Sequence, residues 1–329
     1  MAITESIQQQ PLVSFIITYY NLPVDLLCSC IDSILALSLS PEEREIIVID
    51  DGSDLSPMND LLKYGDDIIY VRQKNKGVSA ARNIAMDMVK GQFIQLIDGD
   101  DCLLSEPYNF CLDTLRGHRD ADIITFDFTH KAGHAATSFN PPIKKSGTEL
   151  MRSQNIKGSS CCYLFSKAVR SQLAFTPDLA YGEDEEFTAQ LLIRAEVVYI
   201  TDVQAYLYRE RTTSATHLAD EDSIETRLSH NMDMILRLNK LADVRPYSER
   251  IALQRRIAQL TMDYIYNTIQ LTRSEKKLNE TISQLRKDGL FPLPDRPYST
   301  KYTWFRRLSN NAIGRKLLLT TIPLMKKER

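Results

Sequence analysis

No apolar run in this chain approaches the roughly 18–20 residues that a bilayer-spanning helix requires; the most apolar stretches, residues 12–18 and 317–325, are short. The sequence therefore predicts a protein that does not cross a membrane. Its opening, MAITESIQQQ, has neither the cationic start nor the long apolar stretch of a secretory signal, so a cytoplasmic location is expected. Six cysteines, Cys28, Cys30, Cys102, Cys111, Cys161 and Cys162, form no CxxC pair and no Cys/His ligand spacing, which argues against a structural zinc site and for reduced thiols. A net charge of −3 does not mark the whole chain as a nucleic-acid binder, and no nucleic-acid partner is expected. Internal repeats and low-complexity tracts are also missing. What is present is 329 residues, 43% hydrophobic and 25% charged, enough to bury a core in one large domain with an appendage or in two small ones.

Over the first 200 residues short apolar runs alternate with helix-like segments, the pattern of an α/β fold with a mostly parallel sheet. Strands are predicted at residues 13–18, 45–50, 68–72, 93–97 and 123–128, with helices near 24–37, 55–63, 79–90 and 106–115. Residues 130–147, which include Pro141, Pro142 and Gly147, read as an irregular loop. Order resumes with strands near 161–165, 197–200 and 204–208 and a helix starting near Glu183. Beyond Ala219 the periodicity becomes helical, over 224–241, 251–271 and 275–287.

In parallel sheets ligands gather beyond the carboxyl ends of the strands. The residues there are Tyr19-Tyr20-Asn21 after the first strand, Asp50-Asp51-Gly52-Ser53 at the second and Asp98-Gly99-Asp100-Asp101 after the fourth. Closely spaced carboxylates are costly unless a cation or hydrogen-bond donors neutralise them, and Mg²⁺ or Mn²⁺ suits oxygen ligands of this kind. A solvated acidic turn is the plainer reading. A third is a phosphatase in which Asp98 is the phosphoryl-accepting nucleophile, although Cys102 stands where that motif prefers Thr or Val. Asp51 either caps a turn or accepts from a base N–H. In residues 75–83 a flexible glycine and a Ser cap precede Arg82, whose guanidinium could fork onto phosphate oxygens or lie on the surface. The acids of residues 183–186 open a helix, where capping and the helix dipole favour them anyway; only one need be catalytic. Arg209 and Arg211 offer two cations after a strand.

These pieces, in order and at fitting intervals, resemble the family 2 glycosyltransferases of the GT-A fold. The resemblance rests on residues 13–21, Asp50 to Ser53, Asn75 to Asn83, Asp98 to Asp101 and Gly182-Glu183-Asp184, and covers roughly residues 11–215. It implies a GT-A domain over 1–218, with a nucleotide-binding half at about 11–130 and an acceptor half at about 131–218, followed by a helical region to 297. It also implies a metal-dependent, inverting transfer of a hexosyl group from a nucleotide-sugar, of the UDP type, to a hydroxyl of a glycan or lipid-linked acceptor in surface polysaccharide synthesis. By the same resemblance Thr18, Tyr20 and Asp51 hold the nucleoside, and Arg82 approaches the diphosphate or base. Asp98 and Asp100 form the DxD element, with Asp100 as the direct ligand of Mn²⁺ or Mg²⁺. Asp184 is the general base, and Arg209 and Arg211 lie by the leaving diphosphate. Many relatives carry proline at the position of Thr18, and DSDD where this chain has DGDD. The alternatives that stay open are the Asp98 phosphatase and a non-catalytic nucleotide-sugar scaffold.

Residues 298–329 form a basic amphipathic tail. From residue 301 onward Lys301, Arg306, Arg307, Arg315, Lys316, Lys326, Lys327 and Arg329 face the single acid Glu328, a net +7 that leaves −10 for the first 300 residues. Interleaved aromatic and aliphatic residues fit a helix lying in the interface of an anionic membrane on the cytosolic face. Packing of the apolar side on the helical region, or on a second copy in a homo-oligomer, is the alternative.

Overall fold

The computed structural model describes residues 10–131, 139–210 and 220–324, and the chain divides into two compact units. The first comprises residues up to 146, 159–178 and 194–210. Among the described residues its nine strands, β1 (Val13–Tyr19), β2 (Arg44–Asp50), β3 (Ile69–Arg72), β4 (Phe93–Asp98), β5 (Cys102–Leu103), β6 (Ile123–Thr129), β7 (Ile143–Lys145), β8 (Tyr163–Ser166) and β9 (Val198–Leu207), make one sheet. Its order is β3-β2-β1-β4-β8-β6-β9-β5, with β7 on β9.

The half that begins the sheet is parallel, as expected: β3, β2, β1 and β4 run the same way. Its central strands are sealed on both faces, with Val13, Phe15, Ile16 and Ile17 of β1 fully buried, which accounts for their near-continuous apolar sequence. Helices α1 (Val24–Leu35), α3 (Val78–Met88) and α4 (Ser105–Gly117) lie where the periodicity places them; α2 (Met58–Leu61) is a short remnant that tightens into a 3₁₀ turn over Leu62–Asp67. Beyond β4 the sheet is mixed, because β8 pairs antiparallel with both β4 and β6.

Two expectations are corrected. The strands expected at 197–200 and 204–208 are a single strand, β9, since buried Thr201 and Val203 alternate with exposed Asp202 and Gln204 and carry the pleat through; the irregularity sits instead in its register against β6. The expected loop at 130–147 contains β7, which pairs with β9, while residues 132–138 fall outside the described residues.

The second unit comprises residues 147–158, 179–193 and those from 211 onward. Its elements are α5 (Gly147–Ser153), α7 (Glu183–Arg194, whose last residue belongs to the first unit), α8 (Glu221–Asp243), α9 (Tyr247–Thr272), α10 (Glu275–Lys287), α11 (Thr300–Ser309) and α12 (Ala312–Thr321); the short α6 (Lys167–Arg170) belongs to the first unit. Helix α9 is the centre, with α5, α8, α10, α11 and α12 all packed against it. That position explains why its apolar and small polar residues are buried around much of its circumference. Side-chain caps start its neighbours: Asp220 accepts from Ser223 N–H and Ser274 from Lys277 N–H. No described helix is long and apolar enough to cross a membrane, and the six cysteines are unpaired thiols.

Candidate active site

Parallel register brings the strand-end motifs to one edge of the sheet. Thr18 of β1 sits opposite Ile49 on one side and Asp98 on the other, while Tyr19 is level with Asp50 and Asp50 with Arg72. Sequence distances of tens of residues thereby become neighbouring strand termini.

Asp51 follows β2 and is almost fully buried. Its carboxylate accepts from Gln73 Nε2 at 2.6 Å, from Lys76 N–H at 2.9 Å and from Gly77 N–H at 2.8 Å, so it fastens the loop entering α3 to the end of β2. These donors fill three of the roughly four acceptor positions of a carboxylate. Gly52 is required beside it: its φ is +81°, and a Cβ there would stand 2.6 Å from Asn75 N. Asp50 is structural, accepting from Tyr70 O–H and Ser53 N–H at 2.8 Å each, with Arg72 Nε 3.3 Å away. Tyr20 lies half-exposed beyond β1.

The turn after β4 divides its acids. Asp98 Oδ1 accepts from Arg82 Nη2 at 2.9 Å and from Thr18 Oγ1 at 3.3 Å. Arg82 is buried, its guanidinium also resting on the Phe175 ring at 5.1 Å, so it enters the site by way of Asp98. Gly99 fits closely, since a Cβ would meet the Thr18 carbonyl oxygen at 2.8 Å. Asp101 turns inward, accepting from Tyr206 O–H at 2.7 Å and Arg209 N–H at 2.8 Å, and so pins the end of β9 to the turn. Burial first, and then the charge of Asp98, push its carboxyl up to about 8. Asp98 and Asp100 place two further carboxylates at this turn, Asp98 paired with Arg82, while the Arg209 guanidinium approaches the Asp100 carbonyl oxygen at 3.5 Å.

Among the described residues no group of three or more His, Cys, Asp or Glu side chains is arranged to hold a metal unaided. The donor set nevertheless fits Mg²⁺ or Mn²⁺, which commonly take one or two carboxylates and complete their shell with substrate phosphates and water. Asp98 and Asp100, two positions apart at the end of β4, offer two carboxylates.

The expected base belongs to the second unit. Asp184 lies in the first turn of α7, and its carbonyl oxygen accepts from Thr188 Oγ1 at 2.8 Å. Two ion pairs fix that turn: Glu185 with the buried Arg256 of α9, and Glu186 with Arg237 Nε of α8 at 3.0 Å. Next to Arg256, Asp263 accepts from Tyr302 O–H of α11, and burial raises its carboxyl to about 6.

That last shift has a sign. The folded state holds the Asp263 proton at pH values where the unfolded chain, with its ordinary pKa of about 3.9, has lost it; stability falls as pH rises from about 4 to 6. Asp263→Asn keeps an acceptor for Tyr302 without the buried charge. It is expected to raise the melting temperature at pH 7.5, with the gain vanishing near pH 4; a gain of equal size at both pH values would refute the assignment.

The first unit thus gathers Thr18, Asp51, Arg82, Asp98, Asp100 and Arg209, while Asp184 sits in the second and Arg211 lies outside the described residues. Sequence reasoning missed the roles of Gln73, Asp101 and Tyr206. The strand-end rule points to Gln73, directly after β3; nothing in the sequence signals that one acid of the three in Asp98-Gly99-Asp100-Asp101 would turn inward.

A family profile described as "Glycosyl transferase family 2" matches residues 14–165. The uncharacterized glycosyltransferase EpsJ of Bacillus subtilis (strain 168) is 28% identical over 233 residues, 66% of this chain and 67% of that protein. The poly(ribitol-phosphate) beta-glucosyltransferase of Bacillus spizizenii is 26% identical over 208 residues, 60% of this chain but only 32% of its own length. Among solved structures, S. aureus TarS 1–349 in complex with UDP-GlcNAc superposes with a TM-score of 0.57 at 16% identity, over 97% of this chain and 93% of that one. The mannosyltransferase PcManGT from Pyrobaculum calidifontis, in complex with GDP-Man and Mn²⁺, gives 0.57 at 12% identity, over 97% and 88%.

Proposed function

We propose that this chain, which belongs to the family 2 glycosyltransferases and has their GT-A fold, moves a hexose from a UDP-sugar to a hydroxyl of a glycan or lipid-linked acceptor in surface polysaccharide synthesis, with inversion. The observation that carries the reading is the strand-edge cluster in which Asp98, paired with Arg82 and Thr18, adjoins Asp100 at the same edge of the sheet where Asp51 follows β2.

In this reading the remaining acceptor position of Asp51 takes the base N–H, and Thr18 and Tyr20 border the nucleoside. Asp100, with Asp98 beside it, would hold the divalent cation, whose charge stabilises the leaving diphosphate. Arg209, tied to the turn through its N–H on Asp101, adds a second cation to that side, and the same role is assigned to Arg211 on the sequence resemblance alone. Asp184 takes the acceptor's hydroxyl proton as the oxygen bonds to the anomeric carbon and the bond to the diphosphate oxygen breaks. Asp98 as a phosphoryl-accepting nucleophile fits less well, because one of its oxygens is committed to Arg82 and Thr18.

The test is thermal stabilisation by UDP, GDP, CDP and dTDP, each with Mn²⁺ or with EDTA. UDP with Mn²⁺ at 100 times its dissociation constant should add about 2.7 kcal/mol of stability. EDTA or Asp100→Ala should abolish the gain. Stabilisation by a different nucleotide would overturn the UDP assignment, and none at all would overturn donor binding.

A further inference from the structure

The basic tail resolves into two helices whose apolar residues are divided between inside and outside. Inward, Tyr302 of α11 bonds to Asp263, Phe305 meets the ring of Tyr266 of α9 at 6.3 Å, and Leu318 and Ile322 are buried. Packing of the tail on the helical unit is therefore real, but it uses only part of the apolar set. Outward, Ile313 is 84% exposed, Leu324 81%, Trp304 58% and Leu317 51%.

Their spacing is ordered. Ile313, Leu317 and Leu324 recur at helical intervals along α12 and the 3₁₀ turn after it, with exposed Lys316 beside them. On α11 the exposed positions Lys301, Trp304 and Arg307 recur every three residues, and the Arg307 guanidinium lies 5.5 Å from the Trp304 ring. Residues 300–324 contain five Lys or Arg and no Asp or Glu. Two of these cations serve packing: Arg306 pairs with Asp295 at 2.7 Å, and Arg315 donates to Ser309 carbonyl oxygen at 2.8 Å. The exposed Arg307 and Lys316 have no acids on these helices beside them, and the exposed Lys301 carries its charge near Asp263 of α9.

Exposed aliphatic residues and a tryptophan among cations, on helices that carry no acid, are the composition of a surface that seats in the headgroup region of an anionic bilayer. We propose that the outer faces of α11 and α12 dock this protein on an anionic lipid surface through Trp304, Ile313, Leu317 and Leu324, with Lys301, Arg307 and Lys316 on the headgroups. The inference rests on the tail and not on the donor site, so each stands or falls by its own measurement.

Trp304 is the only tryptophan in the chain, which makes it a built-in reporter. On titrating the full chain with vesicles of phosphatidylglycerol and phosphatidylcholine, its emission should shift to the blue and be quenched by brominated acyl chains. Pure phosphatidylcholine vesicles should give little of either. Each near-surface cation contributes about fivefold to partitioning, so Lys301→Gln/Arg307→Gln/Lys316→Gln should weaken it about 100-fold. Ile313→Ser/Leu317→Ser/Leu324→Ser should reduce it as well and abolish quenching, while UDP-induced stabilisation persists in both variants. An unchanged emission on anionic vesicles, equal partitioning to neutral ones, or partitioning untouched by both variants would overturn the proposal.

Discussion

Asp184→Asn is expected to lower kcat by about 10²–10⁴-fold while leaving UDP affinity within about twofold. The proposed attack by a hydroxyl needs a group to take its proton as the new bond forms, and asparagine cannot. The substitution preserves size and an oxygen acceptor, so α7 should keep its first turn. Glu183→Gln, next to it, should cost far less, because only one carboxylate of that turn has to receive the proton. Steady-state rates with saturating donor, together with UDP-induced thermal shifts, separate the chemical step from donor binding. A variant that retains more than a tenth of wild-type kcat would remove Asp184 from the base role.

Arg256→Met is expected to destabilise the protein by about 2–3 kcal/mol, below the 3–5 kcal/mol typical of breaking a fully buried pair. The discount arises because Glu185 is 31% exposed and water can reach part of it once Arg256 is gone. The loss comes chiefly from stranding Glu185, and secondarily from Asp263, which loses a nearby positive charge that favours its ionised form. Adding Glu185→Gln to the methionine variant removes the stranded charge and should restore at least half of the lost stability, whereas a simple packing defect would not be repaired. Because Glu185 follows Asp184, kcat should also fall in the single variant and recover partly in the double. Urea unfolding and steady-state rates on the four members of the cycle measure both effects.

Much of the active edge was legible because strand ends in a parallel sheet converge by geometry alone. Apolar runs located β1, β2, β3, β4 and β6, and the acids and Arg82 between them marked the edge at which ligands gather. Less legible were elements held by partners distant in sequence. Cys102–Leu103 is too short to carry a period, and it is a strand only because β9 pairs with it. Lys144 and Lys145 in β7 read as loop for the same reason. Within the DGDD run composition does not distinguish one aspartate from another; the assignment follows from Tyr206 and the Arg209 N–H, more than a hundred residues away, which draw Asp101 inside. The contact of Arg82 with Asp98 is likewise invisible in the sequence, because it needs α3 to be packed beside the end of β4.

By itself, then, the amino-acid sequence determined the α/β alternation, the sheet edge where the acids and Arg82 collect, the helical C-terminal region and the charge of its tail, since these follow from local periodicity and from which residues are ionisable. Tertiary structure alone decided which carboxylates are structural, which neighbour clamps the first turn of α7, and which half of the tail's apolar residues faces outward. Those outcomes depend on partners brought together by long-range packing, and burial, hydrogen bonding and pKa are properties of such surroundings rather than of the residue type.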